Sequence, residues 1–322
     1  MLKPVVVASN RPSPRFYRGG RRITDFRGDA PAGEFEPEDW VGSTTTVAGE
    51  PRAGLTVLPD GRTLAEAVAA DPVGWLGRRH VDRFGADTRL LVKLLDPGQR
   101  LPVHAHPSAA WAAEHVARAH GKVEAWYILS PGTVHLGLRQ DVAPADLRRL
   151  VDGQDTDGLL ALLHELEVQK DDVVFVPAGE LHAIGEGVLI LELQEPEDLS
   201  ILLEWRGFEL DGAKDGHLGV GFDVALTAVN HRAIDPAPLT THAGTGNVFG
   251  PEADGFFRLG RFVVDGDASV GRGFGVLVVV DGEVRLGDLV LPRGRTVVIP
   301  DAAGTLPLSG RGEVLVCRPP AS

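Results

Sequence analysis

Leu101-Pro102-Val103-His104-Ala105-His106-Pro107 is the stretch on which the reading of this chain turns. It stands in a longer segment that opens at Gly98 and closes with Val176-Pro177-Ala178-Gly179-Glu180-Leu181-His182. Gly121-Lys122-Val123-Glu124-Ala125-Trp126-Tyr127 lies between. Side chains two apart on a strand share a face, so His104 and His106 aim into one space. The same alternation puts Lys122 and Glu124 together on a neighbouring strand. His182 follows a Pro-Ala-Gly turn after the apolar run Val173-Val174-Phe175-Val176. Three imidazoles and one carboxylate, from His104, His106, Glu124 and His182, therefore form a four-ligand set for one divalent metal ion. Zinc comes first among the ions expected there, followed by manganese, iron, nickel and cobalt; composition alone does not choose.

Outward from this segment the chain reads as β-structure with short helices. Leu91-Val92-Lys93-Leu94-Leu95 is a strand run leading towards the histidines. From Val188 to Gln194, Leu189, Leu191 and Leu193 alternate with Ile190, Glu192 and Gln194. Glu192 thus projects to one side of a barrel wall, where a carboxylate is costly unless it is paired or working. Thr63 and Glu66 have capping-box spacing at the head of a short helix, which Asp71-Pro72 ends. A helix-like insert spans 108–120. Ala143 to Leu150 and Gly158 to Leu166 read as two more helices, the second with apolar residues at helical spacing and His164 on its surface. Residues 1–60 read as short β-type pieces, with Asp60-Gly61 as a turn. From residue 240 onward, runs such as Phe257 to Val264, Gly275 to Val280 and Val297 to Ile299 are separated by Asp-Gly or Gly-rich turns.

At 322 residues the chain suits two modest domains, each able to bury a core. Its net charge of −13 argues against a nucleic-acid partner. The basic N-terminal patch of Arg11, Arg15, Arg18, Arg21 and Arg22 reads as a solvated or ion-paired lead-in. The single cysteine, Cys317, excludes an intramolecular disulfide and has the apolar flank of a buried thiol. No apolar stretch is long enough to span a bilayer, and the N-terminus has no signal-peptide core, so the expectation is a soluble cytoplasmic protein with no membrane partner.

Gly-x5-His-x-His and Pro-x-Gly-x2-His resemble the two cupin motifs. Glu124, displaced beyond the insert in Gly-Lys-x-Glu-x-Trp-Tyr, is similar to the class I mannose-6-phosphate isomerases. So are residues 90–96, 176–185 and 189–194. The resemblance implies an all-β dominated fold of two cupin (jelly-roll β-barrel) domains. These are a metal-binding domain over 1–235, with a helical insertion at about 141–167, and a second, metal-free domain over 240–322. It implies metal-dependent aldose–ketose isomerisation of mannose 6-phosphate to fructose 6-phosphate through an enediol, by a monomer or homodimer acting on a small sugar or sugar phosphate. Glu192 and Asp198 match acidic residues near the family's sugar, either of them the general base or a positioning group. Lys122 would stabilise negative charge on oxygen or phosphate. Trp40, in a Trp-x-Gly segment, either lines the sugar pocket or is a core aromatic.

Three positions depart from the family. His104 stands where glutamine is usual. Leu202 replaces an arginine that holds the sugar phosphate, and Pro102 replaces a hydroxyl that touches it. Lys122, which remains, and Arg206, a turn away, are the cations expected to stand in for the lost arginine. These changes keep two alternatives open: an isomerase for an unphosphorylated or different sugar, and a non-catalytic sugar-binding bicupin.

Overall fold

Residues 2–322 are described by a computed structural model. Its centre is a six-stranded antiparallel sheet in which Leu91–Leu95, Ile190–Gln194 and Glu124–Ile128 lie side by side. All three strands are buried on both faces. That accounts for their nearly continuous apolar composition and makes the few charges among them conspicuous. Glu38–Val41 pairs with Leu91–Leu95, so Trp40, Lys93, Glu192 and Trp126 form one row across four strands.

One face of this sheet contributes Leu95, Trp126, Ile128 and Ile190 to a core shared with Val134, Leu136 and Ile184. The latter three belong to a five-stranded sheet that also contains His104–Ala105 and His182–Ile184. The two sheets pack face to face around that core. Opposite side chains on the six-stranded sheet (Val92, Leu94, Ala125, Tyr127, Leu191, Leu193) pack on Val276, Val278, Leu315 and Cys317 of a third, seven-stranded sheet. That sheet has its own core of Val264, Leu277, Val279, Leu291, Val297 and Val314. Cys317 is buried and free, and burial pushes its thiol up.

The two halves exchange strands. Val5–Val7 pairs with Thr296–Ile299 at the edge of the seven-stranded sheet, and Thr240–His242 pairs with Asp172–Val176 of the six-stranded one. The expected divisions at 235 and 240 are therefore crossed in both directions.

The capping box at Thr63 and Glu66 forms, and its helix runs over Leu64–Ala70. Asp71 then caps a second helix, Pro72–Leu76, rather than ending helical structure there. The insert after the paired histidines is the helix Ala109–Val116, capped by Ser108. Arg21–Arg27 is a helix within a segment expected to be β-type.

Pro144–Gly153 is helical as expected, but the next helix stops at Ala161 and Leu163–Val168 is a strand. His164 therefore lies on a strand, with its imidazole against the Ile234 carbonyl at 3.0 Å. Helical and alternating patterns overlap in Leu159-Leu160-Ala161-Leu162-Leu163. Pairing with Gly132–Leu138 decides for the strand from Leu163 onward. No helix among the described residues is long and apolar enough to cross a membrane.

Candidate metal centre and substrate cleft

His104 and His182 face each other as a cross-strand pair on the five-stranded sheet, and their rings lie 4.0 Å apart. His106 follows two residues on, its ring 4.9 Å from His104 and 4.8 Å from His182. One nitrogen from each of the three buried histidines lies within 4.8 Å of the others. Glu124 approaches from the opposite sheet. Its Oε2 is 3.1 Å from His106 Nε2, and its Oε1 is 3.4 Å from His182 Nε2.

The outer ring nitrogens are all held by backbone. Nδ1 of His104, His106 and His182 lies 2.8, 2.7 and 2.9 Å from the carbonyls of Pro102, Leu199 and Glu180. That contact fixes the tautomer with Nδ1 protonated, so each Nε2 lone pair is turned to the centre. Burial, together with neighbouring positive groups, pushes the His106 imidazole down to about 3 and His104 well below the ordinary value. Both rings are thus neutral at pH 7, the state a metal ligand requires. His182 Nε2 is buried without a hydrogen-bond partner. An orphaned nitrogen beside two imidazoles and a carboxylate completes a set of four donors that fits a divalent ion.

Beside this centre runs a cleft lined by Arg15, Glu38, Lys93, Pro102, Lys122, Glu192, Asp198 and Leu202, among others. Lys122 Nζ donates to Glu124 Oε2 at 2.5 Å and to His106 Nε2 at 2.8 Å, and it lies 4.0 Å from Glu192 Oε1. Lys93, across the row from Glu192, is 3.5 Å from the same oxygen. Glu192 Oε1 itself has no hydrogen-bond partner. Burial, with the charge of Glu124, raises its carboxyl above the ordinary range against the pull of the two lysines. An unsatisfied carboxylate oxygen of raised basicity facing a cleft is suited to accept a proton.

Asp198 reaches the cleft but is engaged. It pairs with Arg15 at 3.6 Å and accepts the Ala48 N–H at 3.2 Å. Arg206 does not reach it. Its side chain is exposed and turned to the Gly153 carbonyl on the outer surface, and its backbone is held by Gln154. A turn's separation along the sequence here leads out of the barrel, because the chain leaves the strand Ile201–Leu202 towards the helical insertion.

Three charged residues join the site that sequence reasoning did not assign to it: Arg15, Glu38 and Lys93. Glu38 accepts from Arg15 Nε at 3.0 Å, from Tyr17 Oη at 2.7 Å and from Trp40 Nε1 at 2.6 Å. Trp40 is fully buried, so it supports Glu38 and Lys93 from behind the cleft; Lys93 Nζ sits 4.8 Å over its ring. For Lys93 a signal existed, a lone charge in an apolar strand. Arg15 carried none, because only long-range pairing brings it here.

Burial alone would raise the Glu38 carboxyl, but Arg15 and Lys93 outweigh it and hold the group down to about 2. A folded-state value below the ordinary 4.5 contributes stability that is present above 4.5 and lost as pH falls towards 2. The shift corresponds to about 3 kcal/mol. Melting temperature should therefore fall more steeply between pH 5 and 2 in the wild type than in Glu38→Gln, and parallel curves would refute the pairing.

Fold and site together define a protein of packed antiparallel sheets with a buried three-histidine, one-carboxylate centre fit for a divalent metal and open to a charged cleft. No protein-family model matches the chain. It is 26% identical over 333 residues to the mannose-6-phosphate isomerase of Streptococcus mutans, covering 98% of each sequence. It is 28% identical over 326 residues to mannose-6-phosphate isomerase ManA of Bacillus subtilis, covering 92% of this chain and 94% of that one. Its fold matches a putative mannosephosphate isomerase from Archaeoglobus fulgidus with a TM-score of 0.78, at 21% identity and full coverage of both chains. The Bacillus subtilis mannose 6-phosphate isomerase structure matches with a TM-score of 0.75, at 21% identity over 98% of this chain and 99% of that one. Along almost its whole length the chain is thus similar to proteins named mannose-6-phosphate isomerase.

Proposed function

We propose that this protein is a metal-dependent sugar isomerase that interconverts mannose 6-phosphate and fructose 6-phosphate. The observation that carries the proposal is the unpartnered Glu192 oxygen beside a centre of three neutral imidazoles and one carboxylate, in a chain whose curated relatives bear that activity's name. His104, His106, Glu124 and His182 would hold the ion, with zinc first among zinc, manganese, iron, nickel and cobalt. The two barrels are read as cupin domains, the second without metal, and the enzyme as a cytoplasmic monomer or homodimer. When bound, the ion supplies Lewis acidity to the sugar's carbonyl oxygen.

The chain's own groups do the rest. Glu192 Oε1 takes the proton from C2 of the aldose and returns it to C1. The hydroxyl proton of O2 passes to O1, so that the C1 carbonyl becomes an alcohol and the C2 alcohol a carbonyl. Lys122 and Lys93, which flank Glu192 Oε1, stabilise the negative charge that develops on the sugar's oxygens. The apolar barrel wall behind them keeps the exchange away from water. Asp198 is a positioning group: it accepts the Ala48 N–H and stands beside Arg15.

A coupled assay on zinc-loaded protein, with mannose 6-phosphate and mannose run side by side, tests the reading. Formation of fructose 6-phosphate supports it. Turnover of mannose alone would reassign the cleft to an unphosphorylated sugar, which Leu202 and Pro102 in its wall favour. Metal binding without any turnover would leave the sugar-binding bicupin.

A further inference from the structure

Three cations line the cleft: Lys93, Lys122 and Arg15. They are not equivalent. The lysine side chains are 4% and 6% exposed and lie at the inner end, where each is tied to Glu192 and to a second carboxylate. Arg15 and Asp198 are 12% and 13% exposed and stand nearer the mouth. Leu202 and Pro102 line the same cleft and have no side-chain donor. A hexose 6-phosphate with its reacting carbons at the metal must extend its phosphate away from the lysines.

We infer that Arg15 is the residue that binds the substrate's phosphate and selects phosphorylated over free sugar; this rests on the isomerase reading. The geometry suits the exchange. Arg15 Nε is firmly bound to Glu38 at 3.0 Å, which anchors the stem and orients the planar fork. Its outer Nη2 meets Asp198 only at 3.6 Å, an ion pair longer than a hydrogen bond. A phosphate accepting two parallel N–H bonds from a guanidinium is a stronger partner than one loose carboxylate. Phosphate therefore displaces Asp198 from Arg15. Because Asp198 also accepts the Ala48 N–H, the 44–51 loop is coupled to that displacement. The basic N-terminal segment, a bland lead-in by composition, supplies the specificity determinant.

The test is steady-state kinetics on the zinc-loaded full chain with mannose 6-phosphate, for wild type, Arg15→Gln and Arg15→Lys. Arg15→Gln is expected to raise KM roughly 10- to 100-fold with kcat changed by only a few fold, the range for losing a charge-assisted bond. Arg15→Lys keeps the charge but loses the fork, and should fall between. Arg15→Gln also unpairs Glu38 and Asp198, so zinc content and melting temperature are followed in parallel. If that variant fails to fold, Arg15→Lys decides: a raised KM at full zinc content supports the inference. A KM within twofold of wild type in every variant that folds overturns it and leaves the isomerase reading intact. A wild type that cannot turn over mannose 6-phosphate sinks both.

Discussion

His182→Ala should lose bound metal and isomerase activity together, with turnover falling to the assay's background, while the metal-free protein stays folded. The imidazole is fully buried, and its Nε2 satisfies no protein group, so its one polar bond within the fold is Nδ1 to the Glu180 carbonyl. Removing the ring costs packing against Trp126, 5.7 Å away, and against His104, but strands no charge. Without metal, its loss should therefore cost no more than an ordinary core truncation, about 2–5 kcal/mol. The metal has more to lose: one of three imidazoles, and the one that faces His104 across the strands. His106→Ala should behave in the same way for metal, with an added penalty because Lys122 and Glu124 both lean on that ring. Elemental analysis of purified protein beside the coupled assay checks both variants. Full occupancy in either would remove that residue from the ligand set.

Glu192→Gln is expected to keep the metal and lower kcat by roughly 10²-fold or more, the contribution ordinary for a positioned general base. The amide preserves shape, so the barrel wall has no cavity to collapse around. It does leave Lys93 and Lys122 without one shared carboxylate, but each retains another, Glu38 for Lys93 and Glu124 for Lys122. The folded state should therefore survive. Zinc content equal to wild type, with KM little changed and kcat reduced, is the signature of a lost proton acceptor. Unchanged kcat would move the base to another group, and Asp198→Asn would become the next variant to measure.

The candidate metal centre was legible because its signal is local. His104 and His106 are two apart on one strand, Glu124 sits in an alternating run, and His182 follows a tight turn, so period and turn chemistry suffice to aim them inward. Glu192 was legible for the same reason, as a charge at an inward position of an apolar strand. Arg15 and Glu38 were not. Their partners are Asp198 and Lys93, far along the chain, and no short-range pattern distinguishes a buried arginine from a solvated one in a segment rich in both. Arg206 shows the converse: it is near Leu202 in sequence but not in space, because the chain turns outward between them. The strand at Leu163–Val168 was hidden because a run of leucines satisfies either period until a neighbouring strand chooses.

The pairing of Val5 with Val298 has a consequence for how the protein is made. Val5–Val7 finds its partner only at Thr296–Val298, far along the chain, so closing this contact belongs among the slow, non-local steps of folding. Until then Val5–Val7 travels unpaired. A fragment expressed from residue 240 onward would in turn carry Thr296–Ile299 with one open hydrogen-bonding edge, the kind of edge that recruits strands from other molecules. Each of these two sheets is completed by a strand from the other part of the chain, and neither part should be obtained as a well-behaved piece by cutting between them.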